Sequence, residues 1–362
     1  MPFLGHRGPI VVILCIGLSE STQGTTGEGK MATVSDASKK TLDEFEAITG
    51  KLVKAKAAIG EVIFGQEEVV ELCLIAILSG GHGLLVGAPG LAKTKLATTL
   101  GRVLGLNEKR VQFTPDLMPA DILGSEVLEE GETGRKSFRF VPGPVFCQLL
   151  MADEINRASP RTQSALLQAM QEHHVTIAGT RHDVPSPFHV LATQNPIEQE
   201  GTYPLPEAQL DRFIVQIDVP YPSLEAERRM LFATTGNDEV EAVAAVTAKE
   251  LMTAQRLCRT LPVGEQVADA ILKVVRSARP GPDADAYINE NVAWGPSPRA
   301  AQALMLGSRA RALLQGRLAP SMDDVIALLN PVFKHRMALN FQARADGKTM
   351  AQIITHLKSM LG

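Results

Sequence analysis

Aromatic side chains are scarce in this chain: phenylalanine, tyrosine and tryptophan make up 4% of 362 residues, with a single tryptophan. A surface that stacks on single-stranded bases needs more of them. Positive charge is not in excess either, because the formal net charge is −4. That balance gives no overall pull toward a phosphate backbone, although local basic loops stay open. Cys15, Cys73, Cys147 and Cys258 lie far apart with no metal-ligand spacing, so they read as free thiols in a reducing compartment. The apolar run Pro9–Leu18 covers only ten residues, too few to span a bilayer as a helix.

What is present is more specific. Gly87-Ala88-Pro89-Gly90-Leu91-Ala92-Lys93-Thr94 follows the short apolar segment Leu84-Leu85-Val86 and precedes a stretch, Lys95 to Leu104, that reads as a helix. Backbone N–H groups of such a turn cradle phosphates, Lys93 reaches the β- and γ-phosphates, and Thr94 holds Mg²⁺. The anion then sits at a helix N-terminus, where donors and dipole favour it. Glycine is usual directly before the lysine, and here Ala92 stands instead. Alanine prefers helical dihedrals, so the expectation is that the helix starts one residue earlier. About sixty residues on, the apolar run Leu149-Leu150-Met151-Ala152 ends in Asp153 and Glu154. Asp153 is placed to support the Mg²⁺ shell and Glu154 to polarise an attacking water. Either half alone is a weak signal; the ordered pair is a strong one for ATP with Mg²⁺.

At 45% hydrophobic and 21% charged the chain has a soluble, globular composition and room for two domains. Apolar segments at 84–86, 110–113, 147–152, 188–193 and 213–217 alternate with helical ones, which predicts an α/β core with a parallel sheet wrapped by helices. Two Gly-rich stretches with strand-like alternation, Ile122–Phe146 and Val175–Val184, read as hairpin insertions, the second turning at Ala178-Gly179. A capping box at Thr41–Glu44 opens a helix with Leu42, Phe45, Ile48 and Leu52 on one face. After Pro220-Tyr221-Pro222 the pattern becomes nearly all helical, with capping boxes at Thr247–Glu250 and Ser321–Asp324. The expected division is an N-terminal extension over 1–40, a nucleotide-binding core over 41–219 and an all-α lid over 220–362.

Three further positions suit phosphoryl chemistry. Asn195, in Thr193-Gln194-Asn195-Pro196, ends a central strand; it can orient water, and it is equally a turn former before proline. Arg212, in Leu210-Asp211-Arg212-Phe213, offers a guanidinium fork for a phosphoryl group in flight, or an ion pair with Asp211 or Glu207. Arg299, in Ser297-Pro298-Arg299-Ala300, opens a helix, a poor place for a cation unless an anion compensates.

These runs, with Asp153-Glu154-Ile155-Asn156-Arg157 continued to Glu172, Gln112–Leu117, Thr193–Glu198 and Pro206–Phe213, resemble the MoxR family of AAA+ ATPases over about residues 41 to 340. The resemblance implies an AAA+ P-loop core with hairpin inserts and a helical lid. It implies Lys93 and Thr94 as Walker A ligands, Asp153 and Glu154 as the Walker B pair, Asn195 as sensor 1, and Arg299 as sensor 2 on the γ-phosphate, through which hydrolysis shifts the lid. Arg212 would be an arginine finger for the neighbouring subunit. Ile63, Gly65 and Gln66 resemble the adenine-side turn, and Lys95 closes the nucleotide-binding segment. Similar ATPases form rings, usually hexamers, with both inserts facing the pore. They act in chaperone-like remodelling, maturation or metal and cofactor insertion of client proteins, often with a von Willebrand factor A domain partner.

Such an enzyme belongs in the cytoplasm, where ATP is supplied, although Pro9–Leu18 after His6 and Arg7 resembles a secretory h-region. The expectation is that translation begins at Met31, behind purine-rich codons for Glu28-Gly29-Lys30. Other residues carry less. Glu172-His173-His174 lacks a third metal ligand. Arg135, Lys136, Arg139 and Arg181, with Phe138 and Phe140, describe either a solvated hairpin or a client or nucleic-acid contact. Trp294 and Met322, Met337, Met350 and Met360 read as packing. Two rivals stay open: a magnesium-chelatase-like or helicase-like motor, and a nucleotide-gated binding module with little turnover.

Overall fold

The computed structural model describes residues 29–130, 136–196, 201–235 and 241–361; Cys15, Arg135, Ile197, Glu198 and the suggested leader lie outside them. Among the described residues, those up to Asp43 belong to one unit and those from Glu44 onward to the other. The first helix, α1 (Gly29–Gly60), runs through Thr41 without starting there, so that capping box does not form. Its main-chain donors are already paired inside the helix. Phe45, Ile48 and Leu52 are buried along it, whereas Leu42 is exposed.

There follow α2 (Glu67–Leu78), β1 (Gly83–Val86), α3 (Lys93–Val103), β2 (Glu108–Gln112), α4 (Pro119–Leu123), β3 (Gly124–Glu130), β4 (Lys136–Pro142), β5 (Leu149–Asp153), α5 (Pro160–Glu172), β6 (His174–Ile177), β7 (Thr180–Asp183), β8 (His189–Gln194), α6 (Glu207–Leu210) and β9 (Val215–Asp218). Strands β2, β5, β8, β1 and β9 form one parallel sheet in that order. Their boundaries fall within two residues of the predicted ones. Strand residues alternate between two apolar clusters, as the pleat requires. Leu85, Leu149, Met151, Leu191, Val215 and Ile217 face one cluster, and Leu84, Val111, Leu150, Ala152, Val190 and Ala192 the other.

The expected inserts are hairpins β3–β4 and β6–β7. Ala178 and Gly179 both take positive φ (47° and 83°), the two-residue turn whose twist suits a hairpin. The Phe140 ring stacks on His182 with centroids 3.9 Å apart, tying one hairpin to the other. Arg139 pairs with Glu129 and Arg181 with Asp183, which favours the solvated-hairpin reading of these basic residues.

The C-terminal helices are α7 (Leu224–Thr235), α8 (Ala248–Thr260), α9 (Glu265–Ser277), α10 (Ala286–Asn291), α11 (Pro298–Leu314), α12 (Met322–Phe333), α13 (Phe341–Ala345) and α14 (Met350–Ser359). Both predicted capping boxes form, on α8 and α12. One feature differs from the all-helical expectation. Val292–Trp294 (β10) pairs antiparallel with Ala338–Leu339 (β11), a contact between segments too short to register in a sequence pattern. Nor is the lid a separate core, because Leu304, Leu328 and Leu329 share the apolar cluster of α2 and β9. Buried Arg336, just after α12, fastens it further. Its guanidinium donates to Asp211 Oδ1 at 2.7 Å and to the carbonyls of Phe213 at 2.6 Å, Val332 at 2.7 Å, Ile214 at 3.1 Å and Asp211 at 3.2 Å.

Candidate nucleotide site

The carboxyl ends of the parallel strands collect one group of predicted residues. After β1 the chain turns through Gly87–Ala92 into α3. Gly90 has φ +83° and open space around it, so the loop leaves its outer face clear. Gly87 is pressed against the chain after β9, where an added Cβ would lie 2.7 Å from the Val219 carbonyl oxygen. Lys93 Nζ donates to the carbonyl oxygens of Gly87 (2.6 Å) and Ala88 (3.2 Å), curling back over the loop. Partial burial lowers its pKa, opposed by the charges of Asp153 and Glu154.

Ala92 departs from expectation. It is not the first helical residue but sits in the left-handed region at φ 54°, ψ 20°, and the helix begins at Lys93, two residues before the predicted start. The turn geometry that glycine usually supplies is imposed here on a residue with a Cβ, at about 1–2 kcal/mol.

Asp153 ends β5 beside this loop. Its Oδ2 lies 3.4 Å from Thr94 Oγ1 and 2.7 Å from Arg110 Nη2, and its Oδ1 accepts from Thr193 Oγ1 at 2.6 Å. Thr193 Oγ1 in turn accepts from the Glu154 backbone N–H at 2.8 Å. Glu154 sits at φ 55°, and its Oε2 accepts from Gln112 Nε2 (2.8 Å) and Arg157 Nη1 (3.0 Å). Thr193, Gln112 and Arg110 were missed by sequence reasoning. The available signal was strand register, since Thr193 lies one step beyond the Ala152–Ala192 pair. Asn195 is buried at this same end, directly after β8.

At the turn expected to meet adenine, Gln66 caps α2 and its Nε2 donates to the Leu91 carbonyl at 3.3 Å, linking this turn to the phosphate loop. Its Oε1 is buried with no partner among the described residues, an acceptor open to a ligand's N–H. Gly65 has φ +68° and no room for a side chain, with Ala226 Cβ 2.4 Å from where a Cβ would stand. Ile63 is buried beneath. The residues present therefore fit ATP, and Thr94 with Asp153 fit Mg²⁺, which takes few protein ligands alongside substrate phosphates. Among the described residues no cluster of His, Cys, Asp and Glu makes a separate metal site. His173 ends α5 and His174 begins β6, so the two straddle a helix end.

Arg212 and Arg299 are elsewhere. Arg212 immediately precedes Phe213 and Ile214, and Ile214 N donates to the His82 carbonyl ahead of β1. Residues 82 and 87 bracket β1, about 16 Å apart at the usual strand rise. Both arginines line a pocket of about 250 Å³ at the amino ends of the strands, with His82, Gln171, Arg259 and Arg336. Neither predicted rival pairing forms for Arg212, whose Nε donates to Gln171 Oε1 at 3.0 Å. Asp211 is taken by Arg336 and by Ser297 Oγ (2.8 Å).

Buried Cys73, Cys147 and Cys258 are free thiols, and burial pushes each pKa up to about 12. Among the described residues no helix is long and apolar enough to cross a membrane.

Comparison with known proteins supplies the setting for this geometry. The pattern of the "ATPase family associated with various cellular activities (AAA)" matches residues 82–215, and that of the "AAA lid domain" residues 284–357. "Chaperone MoxR1" of Mycobacterium tuberculosis is 42% identical over 296 residues, 82% of this chain and 78% of that protein. "Protein MoxR" of Paracoccus denitrificans is 33% identical over 307 residues, 79% of this chain and 88% of that protein. A crystal structure from Cytophaga hutchinsonii, of a protein described as an inferred ATPase, superposes with a TM-score of 0.81 at 33% identity. It covers 91% of this chain and 98% of that one.

Proposed function

Since this chain belongs to the MoxR family of AAA+ ATPases, we propose that it hydrolyses ATP in a ring whose every active site is shared by two subunits. The observation that carries this reading is the separation of the two groups. Lys93, Thr94, Asp153, Glu154 and Asn195 stand at the carboxyl ends of the strands, and Arg212 and Arg299 at the amino ends. A single subunit cannot bring both to one phosphate, whereas a head-to-tail ring can. Arg299 thus serves the adjacent subunit alongside Arg212, rather than moving its own lid over its own nucleotide.

Within a site, the loop N–H groups and Lys93 hold the β- and γ-phosphates. Glu154, fixed by Gln112 and Arg157, accepts a proton from the attacking water, and Asn195 orients that water. Mg²⁺ at Thr94 and Asp153 would offset charge on the bridging oxygens. The neighbour's Arg212 and Arg299 meet the charge that spreads over the departing phosphoryl group.

The work done is chaperone-like remodelling, extended here from the relatives' names to maturation or cofactor insertion of a protein client, with a von Willebrand factor A domain protein as co-chaperone. Pairing of the hairpin arginines with carboxylates favours a protein client over nucleic acid. The test is the ATPase rate per subunit against protein concentration. A rate that rises with concentration and collapses in Arg212→Ala supports the shared site; a flat rate at all concentrations refutes it.

A further inference from the structure

The pocket at the amino ends carries an imbalance of charge. Arg212, Arg259, Arg299 and Arg336 line it, and among the described residues Asp211 is the one carboxylate in its wall. That carboxylate is committed on both oxygens, to Arg336 Nε and to Ser297 Oγ. His82 adds no charge: its Nδ1 accepts from Val190 N and its Nε2 faces the Met170 carbonyl, while burial holds its pKa down at about 3. Among the described residues Arg212 has only the neutral Gln171 amide. Arg259 and Arg299 have no ion-pair partner among the described residues. Guanidinium groups gathered around one space repel one another, and an anion between them removes that repulsion.

An independent observation lies on the same wall. Ser79, at the C-cap of α2, is 2% exposed, and its Oγ has no hydrogen-bond partner among the described residues. Next to it Gly80 takes φ +73°, and a Cβ there would stand 3.3 Å from Arg259 Nη2. The α8 guanidinium thus lies directly over the turn that presents the unused hydroxyl. Fork-shaped donors beside a buried hydroxyl suit tetrahedral phosphate oxygens.

We propose that this pocket is a phosphate-recognition site in which Arg259 and the Ser79 hydroxyl act with Arg212 and Arg299. The proposal rests on the shared-site reading for one source of the phosphate, the nucleotide of the adjacent subunit. A free phosphate anion offers the same chemistry.

Two measurements on the full chain test it. First, tripolyphosphate is titrated calorimetrically into Lys93→Ala, whose own phosphate loop is disabled. Saturable binding is expected at low salt, weakened about tenfold or more by adding Arg259→Gln and less by Ser79→Ala. Second, Arg259→Gln subunits are mixed with Glu154→Gln subunits and assayed for hydrolysis. Arg259 is exposed, so its replacement removes no buried packing. Recovery on mixing means that the site reads the neighbour's phosphate. Arg259-dependent tripolyphosphate binding without recovery means that it takes a free anion. If Arg259→Gln changes neither affinity nor rate, while Arg212→Ala is inactive alone and recovers on mixing, the proposal is wrong and the shared-site reading stands. If Arg212→Ala also fails to recover, the shared-site reading falls as well.

Discussion

The two ends of the central sheet solve opposite electrostatic problems. At the carboxyl ends, Asp153 and Glu154 are each held by two or more donors, and Lys93 is folded onto backbone carbonyls. The groups there satisfy one another. At the amino ends, positive charge accumulates with one carboxylate already engaged. The charged groups of one end are paired with one another and those of the other are not, which is the asymmetry that the proposed sharing of a site between subunits requires.

The largest effects should come from cutting either half. Glu154→Gln is expected to lower the ATPase rate about 10²–10⁴-fold, the range for a lost general base. Arg212→Ala should cost about 10³–10⁵-fold, as for other trans-acting arginines. The distinction lies in rescue. Each variant alone is inactive, and a mixture of the two recovers hydrolysis because some interfaces combine an intact Glu154 with an intact Arg212. A mixture as inactive as its components would break the comparison.

The first half was legible from sequence because its signals are local. The phosphate loop, the Asp153-Glu154 pair and Asn195 sit in short runs whose chemistry can be read in order. What escaped was whatever depends on register or on distant segments meeting. Thr193 bridges the acidic pair only because β8 lies beside β5. Ser79 and Arg259 share a pocket though 180 residues separate them, and β10–β11 joins segments more than 40 residues apart. Arg299 was read as a cation at a helix start that calls for an anion, but its place in the molecule could not be read from a linear motif.

The next effect concerns the clamp between the ends. Arg336 is 3% exposed and fastens the lid to the segment carrying Arg212. Arg336→Ala takes the cation from Asp211 and a donor from the Phe213 and Ile214 carbonyls just before β9, so about 3–5 kcal/mol of stability should be lost. Chemical denaturation would show this as a lower midpoint. A variant as stable as the parent would mean the lid is held by its apolar core alone.

Acid should weaken the amino end more gradually. Burial lowers the pKa of His82 to about 3 and that of His189 to about 4, and drives that of His335 well below its usual value. Each is neutral in the fold, so the unfolded chain binds more protons once pH falls below about 6.5. Their contribution is complete above that pH and declines toward the folded values, by about 1.4 kcal/mol per pH unit for each histidine. Urea midpoints at pH 7.0 and 5.5 would differ accordingly; equal midpoints would show that these histidines are not buried neutral.

The smallest predicted effect probes Ala92, which shares a left-handed backbone with Glu154 at the carboxyl end. Ala92 holds a left-handed conformation that glycine adopts freely. Ala92→Gly relieves that strain but gives the unfolded chain more freedom, so the net gain should be about 1 kcal/mol or less. In a chain of this size that is a rise of roughly 2 °C in Tm. Ala92→Val, β-branched, should lower both Tm and ATP affinity because α3 can no longer begin at Lys93. If glycine instead destabilises the protein, the turn is helical in solution, and the loop closes around phosphate by a different path from the one its backbone describes.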